Sequence, residues 1–183
     1  MPFIVKSRHT LPESLQKRYG HAVILDVTSR GPEPWVRFSP FYPHGGIPVP
    51  FSPGEFGMSV EGIWQGLKVF ETTDIDPSKL LISDMKGIKR SERKYGKVLG
   101  HRAGLTGDHL LSYADARQQI YLPSYQWVLE NCLQDLINEL KGLGVDQTVV
   151  LLDYEINTDL NNLSRPLSHA GLIQLYLEGN WPI

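Results

Sequence analysis

Apolar side chains recur along the chain in two periods. His21–Thr28 (HAVILDVT) and Thr148–Asp153 (TVVLLD) are continuous runs rich in β-branched residues, which predicts two buried strands. Trp35–Phe38, following Gly31-Pro32-Glu33-Pro34, is a third, shorter strand candidate. Between Pro123 and Lys141 the apolar positions are Tyr125, Val128, Leu129, Cys132, Leu133, Leu136, Ile137 and Leu140. This i, i+3, i+4, i+7 spacing predicts one long amphipathic helix, with Gly142 and Gly144 expected to stop it. Ser59 reads as an N-cap for a helix over Val60–Phe70, and Asp76-Pro77-Ser78 as a second helix start. Ser91–Leu99 predicts a short helix, and His169–Leu177 a last one capped by Ser168.

The order strand, strand, loop, helices, strand, helix lacks βαβ alternation. It predicts an α+β fold: a mostly helical single domain over 1–183, packed on a small β-sheet. The stretch from Ser39 to Gly57 holds five prolines and four glycines, which excludes regular elements there. Phe38, Phe41, Tyr42, Phe51 and Phe56 are interleaved with or border these residues, so the stretch reads as an ordered loop wrapped on the core and a candidate binding loop.

Composition changes this picture little. The chain has 183 residues, 41% hydrophobic and 21% charged, and needs no disulfide to hold a core of this size. Its one cysteine, Cys132, lies in the long apolar pattern and reads as a small core hydrophobe. Met1–Lys6 contains no signal-peptide core and no run of 18 apolar residues occurs, so the expectation is a cytoplasmic protein with no membrane partner. The net charge of -2 argues against electrostatic nucleic-acid binding by the whole chain. One window is basic: Lys86, Lys89, Arg90, Arg93, Lys94, Lys97 and Arg102 stand against Asp84 and Glu92. It is a candidate phosphate contact, with a solvated helix face as the alternative.

Several chemistries are unsupported. The six histidines never fall at i, i+4 and only one cysteine is present, so no metal site is expected. Gly57-Met58-Ser59-Val60-Glu61 lacks the last glycine of a nucleophile elbow. There is no P-loop and no strand-linked Gly-x-Gly-x-x-Gly, and no cofactor is expected.

The candidate chemistry lies on Ser59–Phe70. At 100° per residue, Val60, Ile63, Leu67 and Phe70 form a core stripe, while Glu61, Gln65 and Lys68 share another side with Trp64 on the border. Gly62 and Gly66 cost a helix about 1 kcal/mol each relative to alanine, so close approach of another backbone is expected there. The polar stripe would then line a cleft, with Glu61 and Lys68 about 10 Å apart along the axis and Trp64 as a stacking surface. The alternative is an ordinary solvated Glu/Gln/Lys face.

Phe38-Ser39-Pro40-Phe41-Tyr42-Pro43, followed by Ser59-Val60-Glu61-Gly62-Ile63-Trp64-Gln65-Gly66-Leu67-Lys68-Val69-Phe70, resembles the NADAR superfamily, which includes the YbiA-like N-glycosidases. Arg93–Gly104 is similar to that family's Ala-x-x-Leu-Gly-Arg segment, and Tyr125–Leu140 to its long Trp-x-x-Val helix. The resemblance covers about residues 35–178. It implies cleavage of a ribose C–N bond in a phosphorylated ribosyl small molecule or an ADP-ribosylated base, so that nucleic acid enters only as a modified substrate. It carries Glu61 and Lys68 over as catalytic residues and Trp64 and Gln65 as pocket-lining ones. A phosphorylated substrate needs cations, which Arg90, Arg93 and Arg102 would supply; Phe41 and Tyr42 would stack on a base. Pro40 stands where the family has asparagine, Gly62 and Ile63 where it has histidine and an aromatic. Its late Asp-x-x-Trp-Gly motif has no clear counterpart; Asp153 lies roughly where that acid would be, and Asp159 is a second possibility. Two non-catalytic alternatives are a nucleotide-binding module using the same cleft and a protein-interaction domain with the loop aromatics exposed.

Overall fold

A computed structural model describes residues 2–182. In chain order the elements begin with β1 (Phe3–Ser7), α1 (Pro12–Tyr19) and β2 (Val23–Asp26), then β3 (Ile47–Pro48), β4 (Phe56–Gly57), α2 (Val60–Gly66) and β5 (Lys68–Phe70). They continue with α3 (Glu92–Tyr95), β6 (Val98–Arg102), β7 (Leu110–Leu111), α4 (Tyr113–Ala116) and α5 (Leu122–Asn131). The last are α6 (Gln134–Asp146), β8 (Val149–Asp153) and α7 (His169–Leu177). The fold is mixed α and β, with small sheets. Contacts divide the chain into two compact units, Met1–Ser39 with Leu133–Ile183, and Pro40–Cys132, so the second is inserted in the sequence of the first.

The first unit is built on a three-stranded parallel sheet in the order β1-β8-β2. The central strand β8 buries Val149, Val150 and Leu151 completely, the unbroken apolar run expected of a strand covered on both faces. Helix α7 packs on β1 and β8, and α6 on β8. The β1-α1-β2 unit was not legible in the sequence. Strand β1 is short and mostly half-buried, and α1 buries only Leu15, so neither carries a strong apolar period. Trp35–Phe38 is a 3-10 turn instead of the expected strand, and it buries Phe38.

The expected 123–141 helix is two helices. Leu133, at φ -125° and ψ 14°, leaves the helical region, so α5 ends at Asn131 and α6 starts at Gln134. The apolar spacing runs on because each helix keeps its own buried stripe. Gly142 and Gly144 lie inside α6 and do not end it; a Cβ on Gly144 would meet the Phe3 ring at 2.8 Å. Helix α7 and its Ser168 cap are as expected, with the Ser168 hydroxyl accepting from the Gly171 N–H.

In the second unit β5-β6-β7 form an antiparallel sheet, and β3-β4 form a two-residue ladder inside the 39–57 stretch where no regular element was expected, Pro48 being tolerated because a two-stranded ladder has only edge strands. The proline-rich loop is ordered: Ile47 and Val49 are buried, while Phe51 and Phe56 face outward, 49% and 55% exposed. Helix α2 packs against a 3-10 turn at Pro77–Leu81, which replaces the helix expected from Asp76 onward. The two helical glycines mark this contact. A Cβ on Gly62 would lie 2.7 Å from the Lys79 carbonyl oxygen, and one on Gly66 2.3 Å from Leu80 Cδ1.

Gly62→Ala is therefore expected to destabilise the protein by about 1–3 kcal/mol, as overpacking against a backbone does. Gly142 has open space around it, so Gly142→Ala should be neutral to stabilising by up to about 1 kcal/mol. Urea unfolding of the two variants beside the parent measures both; equal effects would show that Gly62 is not a packing glycine.

Candidate functional site

Helix α2 is shorter and more buried than expected. Ser59, itself fully buried, caps it by accepting from the Gly62 N–H at 3.0 Å. The helix stops at Gly66 and the chain enters β5 at Lys68. Lys68 thus does not share a helix face with Glu61, a correction to the sequence reading. The two still interact: Glu61 is the strongest of the charges that favour the Lys68 ammonium. Gln65 is 5% exposed, so the polar side of α2 is not a solvated face. Its Nε2 donates to Glu61 Oε1 at 2.8 Å, which fixes the carboxylate, and its Oε1 accepts from the Arg90 backbone N–H at 3.0 Å.

Lys68 pairs directly with His101 across β5 and β6, so both side chains leave the same face of the sheet. The His101 ring packs on Trp64, centroids 3.8 Å apart and planes tilted by 34°, and the Lys68 Nζ lies 5.8 Å from the Trp64 ring centre. Tyr113 and Tyr121 meet Trp64 edge-on at 5.9 and 5.7 Å. Lys68, Val98, Leu99, Gly100, His101 and Tyr113 line a cleft of about 240 Å³. The site sets a lysine and a histidine side by side in a cleft, with Trp64 packed against both.

The electrostatics follow from this burial. Desolvation pushes the Lys68 ammonium below the ordinary lysine value, and Arg90 and Lys89 push the same way against Glu61 and Glu92. Burial, assisted by the Lys68 charge, lowers His101 to about 3, so its imidazole is neutral at physiological pH. His101 is 1% exposed and neither ring nitrogen has a hydrogen-bond partner among the described residues. Each buried unsatisfied polar group costs about 1–3 kcal/mol.

The remaining residues singled out in the sequence are dispersed. Arg90 is a structural strut: its guanidinium donates to the carbonyl oxygens of Gln65 (3.2 Å), Lys68 (2.6 Å) and Asp74 (2.7 Å), and it packs over Phe70 and Tyr95. That role replaces the expected phosphate contact. Arg102 is committed to the Asp74 carboxylate at 2.7 Å, and Arg93 is exposed on α3. Phe41 lies under the Lys89 ammonium at 5.3 Å, and Tyr42 packs on His44. Phe41 also follows Pro40, whose carbonyl accepts from the Glu61 N–H at 2.8 Å. Sequence reasoning missed His101, Tyr113 and Tyr121. The only signal for His101 was its place in an apolar strand, Val98–Arg102, which the expected 91–99 helix obscured.

Asp153 belongs to the other unit and serves its architecture. At the end of β8 its Oδ2 accepts from Ser168 Oγ at 2.8 Å and lies 3.0 Å from His169 Nδ1, while His169 Nε2 is 2.8 Å from the Val27 carbonyl. Ser168 donates to the aspartate and not to the histidine, so these three residues do not form a nucleophilic triad.

Residues 7–173 match a family described as a family of unknown function (DUF6939). The chain belongs to that family. No curated protein matches it. The match to DUF6939 spans both units, so it takes in the Lys68 cleft as well as the Asp153 cluster.

Two outcomes are expected for this DUF6939 member. Because Glu61 raises the Lys68 value against the effect of burial, Glu61→Gln should move Lys68 titration further down; ε-methylene NMR shifts against pH measure it, and an unmoved midpoint would contradict the coupling. Burial raises Asp153, but His169 and the Ser168 and Ala170 donors outweigh it and hold the carboxyl low; burial lowers His169, but Asp153 outweighs it and holds the imidazole high. The aspartate's contribution is present above 3.8 and is lost as pH falls through its lowered value; the histidine's is complete below 6.5 and is lost as pH rises through its raised value. Asp153→Asn should thus cost about 3–5 kcal/mol. That cost should be largest between 3.8 and 6.5 and shrink at higher pH in unfolding measurements.

Proposed function

We propose that the chain is an N-glycosyl hydrolase that cleaves a ribose C–N bond in a phosphorylated ribosyl small molecule or an ADP-ribosylated base. The observation that carries this reading is the desolvated Lys68 amine on the wall of a cleft, within the field of an oriented Glu61 carboxylate. Cleavage of a glycosidic C–N bond develops positive charge at the anomeric carbon, which a carboxylate stabilises. A lysine freed of its proton attacks the opened sugar at its carbonyl carbon and forms a Schiff base. Lys68 and Glu61 supply both elements. The resemblance of Ser59–Phe70 to the NADAR N-glycosidases adds support, as does the mixed α and β architecture. Lys89, over the face of Phe41 and within electrostatic reach of Lys68, is the cation best situated for a phosphate.

The test is release of free base from ADP-ribosylated guanosine and from early riboflavin-pathway ribosyl phosphates. Parent protein should release base, and Lys68→Ala and Glu61→Gln should each lose about 10²–10⁴-fold of the rate. Binding of these compounds without base release would make the cleft a nucleotide-binding module. Release that survives both substitutions would move the chemistry away from α2 and β5.

A further inference from the structure

We infer that His101 contacts the ligand in the Lys68 cleft, its ring hydrogen-bonding the oxygen on the carbon that the Lys68 amine attacks. This rests on the reading of Lys68 as an amine nucleophile, and it assigns a residue that neither the sequence pattern nor that reading had placed in the chemistry.

Three observations converge. Lys68 and His101 are directly opposed in the antiparallel pairing of β5 and β6, so their side chains leave the same face of the sheet as neighbours, and both line the one cleft. His101 is among the residues that line the cleft, its two ring nitrogens are buried, and neither has a partner among the described residues, so a small turn of the ring toward a bound ligand would satisfy one of them. Packing on Trp64 at 3.8 Å accounts for a flat ring at this position but not for a polar one, since phenylalanine would stack without burying two unsatisfied nitrogens. A neutral imidazole has one N–H donor and one acceptor nitrogen. With the ring neutral, the N–H can donate to an oxygen without a second positive charge opposing the ammonium.

The step is addition of an amine to a carbonyl. The Lys68 nitrogen lone pair forms the C–N bond, and the C=O π pair moves onto oxygen. The imidazole N–H donates to that oxygen as its charge grows. The proton lost by the amine ends on the oxygen, giving a carbinolamine. The hydroxyl then leaves as water with the remaining amine proton, leaving C=N. The ligand class is an aldehyde-bearing sugar in its open-chain form, in which the reacting carbon is the carbonyl carbon.

The experiment traps this adduct. The full chain is incubated with ribose 5-phosphate and cyanoborohydride, which delivers hydride to the C=N bond, and labelling of the Lys68 peptide is followed by mass spectrometry. The parent should label at Lys68. His101→Phe should keep or raise the melting temperature while labelling at least tenfold more slowly. His101→Gln, whose amide supplies a donor and an acceptor, should recover part of the rate. On the parent alone, the His101 ring ¹⁵N resonances should shift when ribose 5-phosphate is added. Equal labelling of parent and His101→Phe, or unmoved ring resonances, would overturn the inference, as would absence of Lys68 labelling in the parent. The base-release assay reads separately: an adduct that depends on His101, without base release, sinks the glycosidase reading and leaves this one standing.

Discussion

The guanidinium of Arg90 gathers three carbonyl oxygens from different parts of the second unit. Those of Gln65 and Lys68 flank the exit from α2, and that of Asp74 lies in the loop after β5. A helix end leaves carbonyls without partners, and a cation is the favoured group to meet them. Charge-assisted bonds of this kind contribute about 1.5–3 kcal/mol each. Arg90 also donates its backbone N–H to the Gln65 side chain, which in turn holds Glu61. Together with the Asp76 N–H on the Gly66 carbonyl and the Arg102 N–H on the Leu67 carbonyl, this clamp holds the exit at which the chain leaves the helix at Leu67 and becomes a strand within one residue. Because it does, Lys68 stands on a sheet, opposite His101, instead of one helical turn beyond Trp64.

The same cation shapes the electrostatics of the cleft. Arg90 is buried, always charged, and near enough to disfavour a second charge on Lys68, adding to the effect of desolvation. Glu61 opposes both, so the amine is balanced between a fixed cation and a fixed carboxylate. His101 follows from that balance: a ring beside Lys68 and buried against Trp64 has every reason to remain neutral. A structural arginine thus tunes a buried lysine, and the lysine tunes its neighbour.

Strong local signals in the sequence corresponded to real elements. The Ser59 and Ser168 caps, the buried run ending at Asp153 and the ordered proline-rich loop all follow from side chains acting on their own neighbourhood. The two glycines of α2 pointed correctly to close approach, because a missing Cβ has few other uses in a helix. What failed were the inferences that extend a period past the point where tertiary contacts interrupt it. Apolar spacing cannot report that the chain turns into a strand after Leu67, since Leu67, Val69 and Phe70 are buried either way. Nor can it report that Leu133 breaks a helix whose two halves both need a buried face. Arg90 read as one of several basic residues because charge alone does not distinguish a solvated arginine from one whose donors are consumed by carbonyls.

The departures from the N-glycosidase pattern can be weighed by what each position does. Pro40 stands in place of asparagine, yet its carbonyl, the one backbone hydrogen-bonding group a proline keeps, accepts from the Glu61 N–H at 2.8 Å. An N–H in the first turn of a helix has no partner within the helix, so this bond closes the N-terminus of α2 beside the carboxylate. Gly62, where the pattern has histidine, is dictated by the Lys79 carbonyl, which leaves no room for a Cβ. A bulky side chain there would require the Pro77–Leu81 turn to withdraw from α2. The local packing thus accounts for both replacements while keeping the Glu61 carboxylate on Gln65. Where the pattern that Ser59–Phe70 resembles has an imidazole after Glu61, this chain has the imidazole of His101, which lines the cleft from β6 and not from the helix.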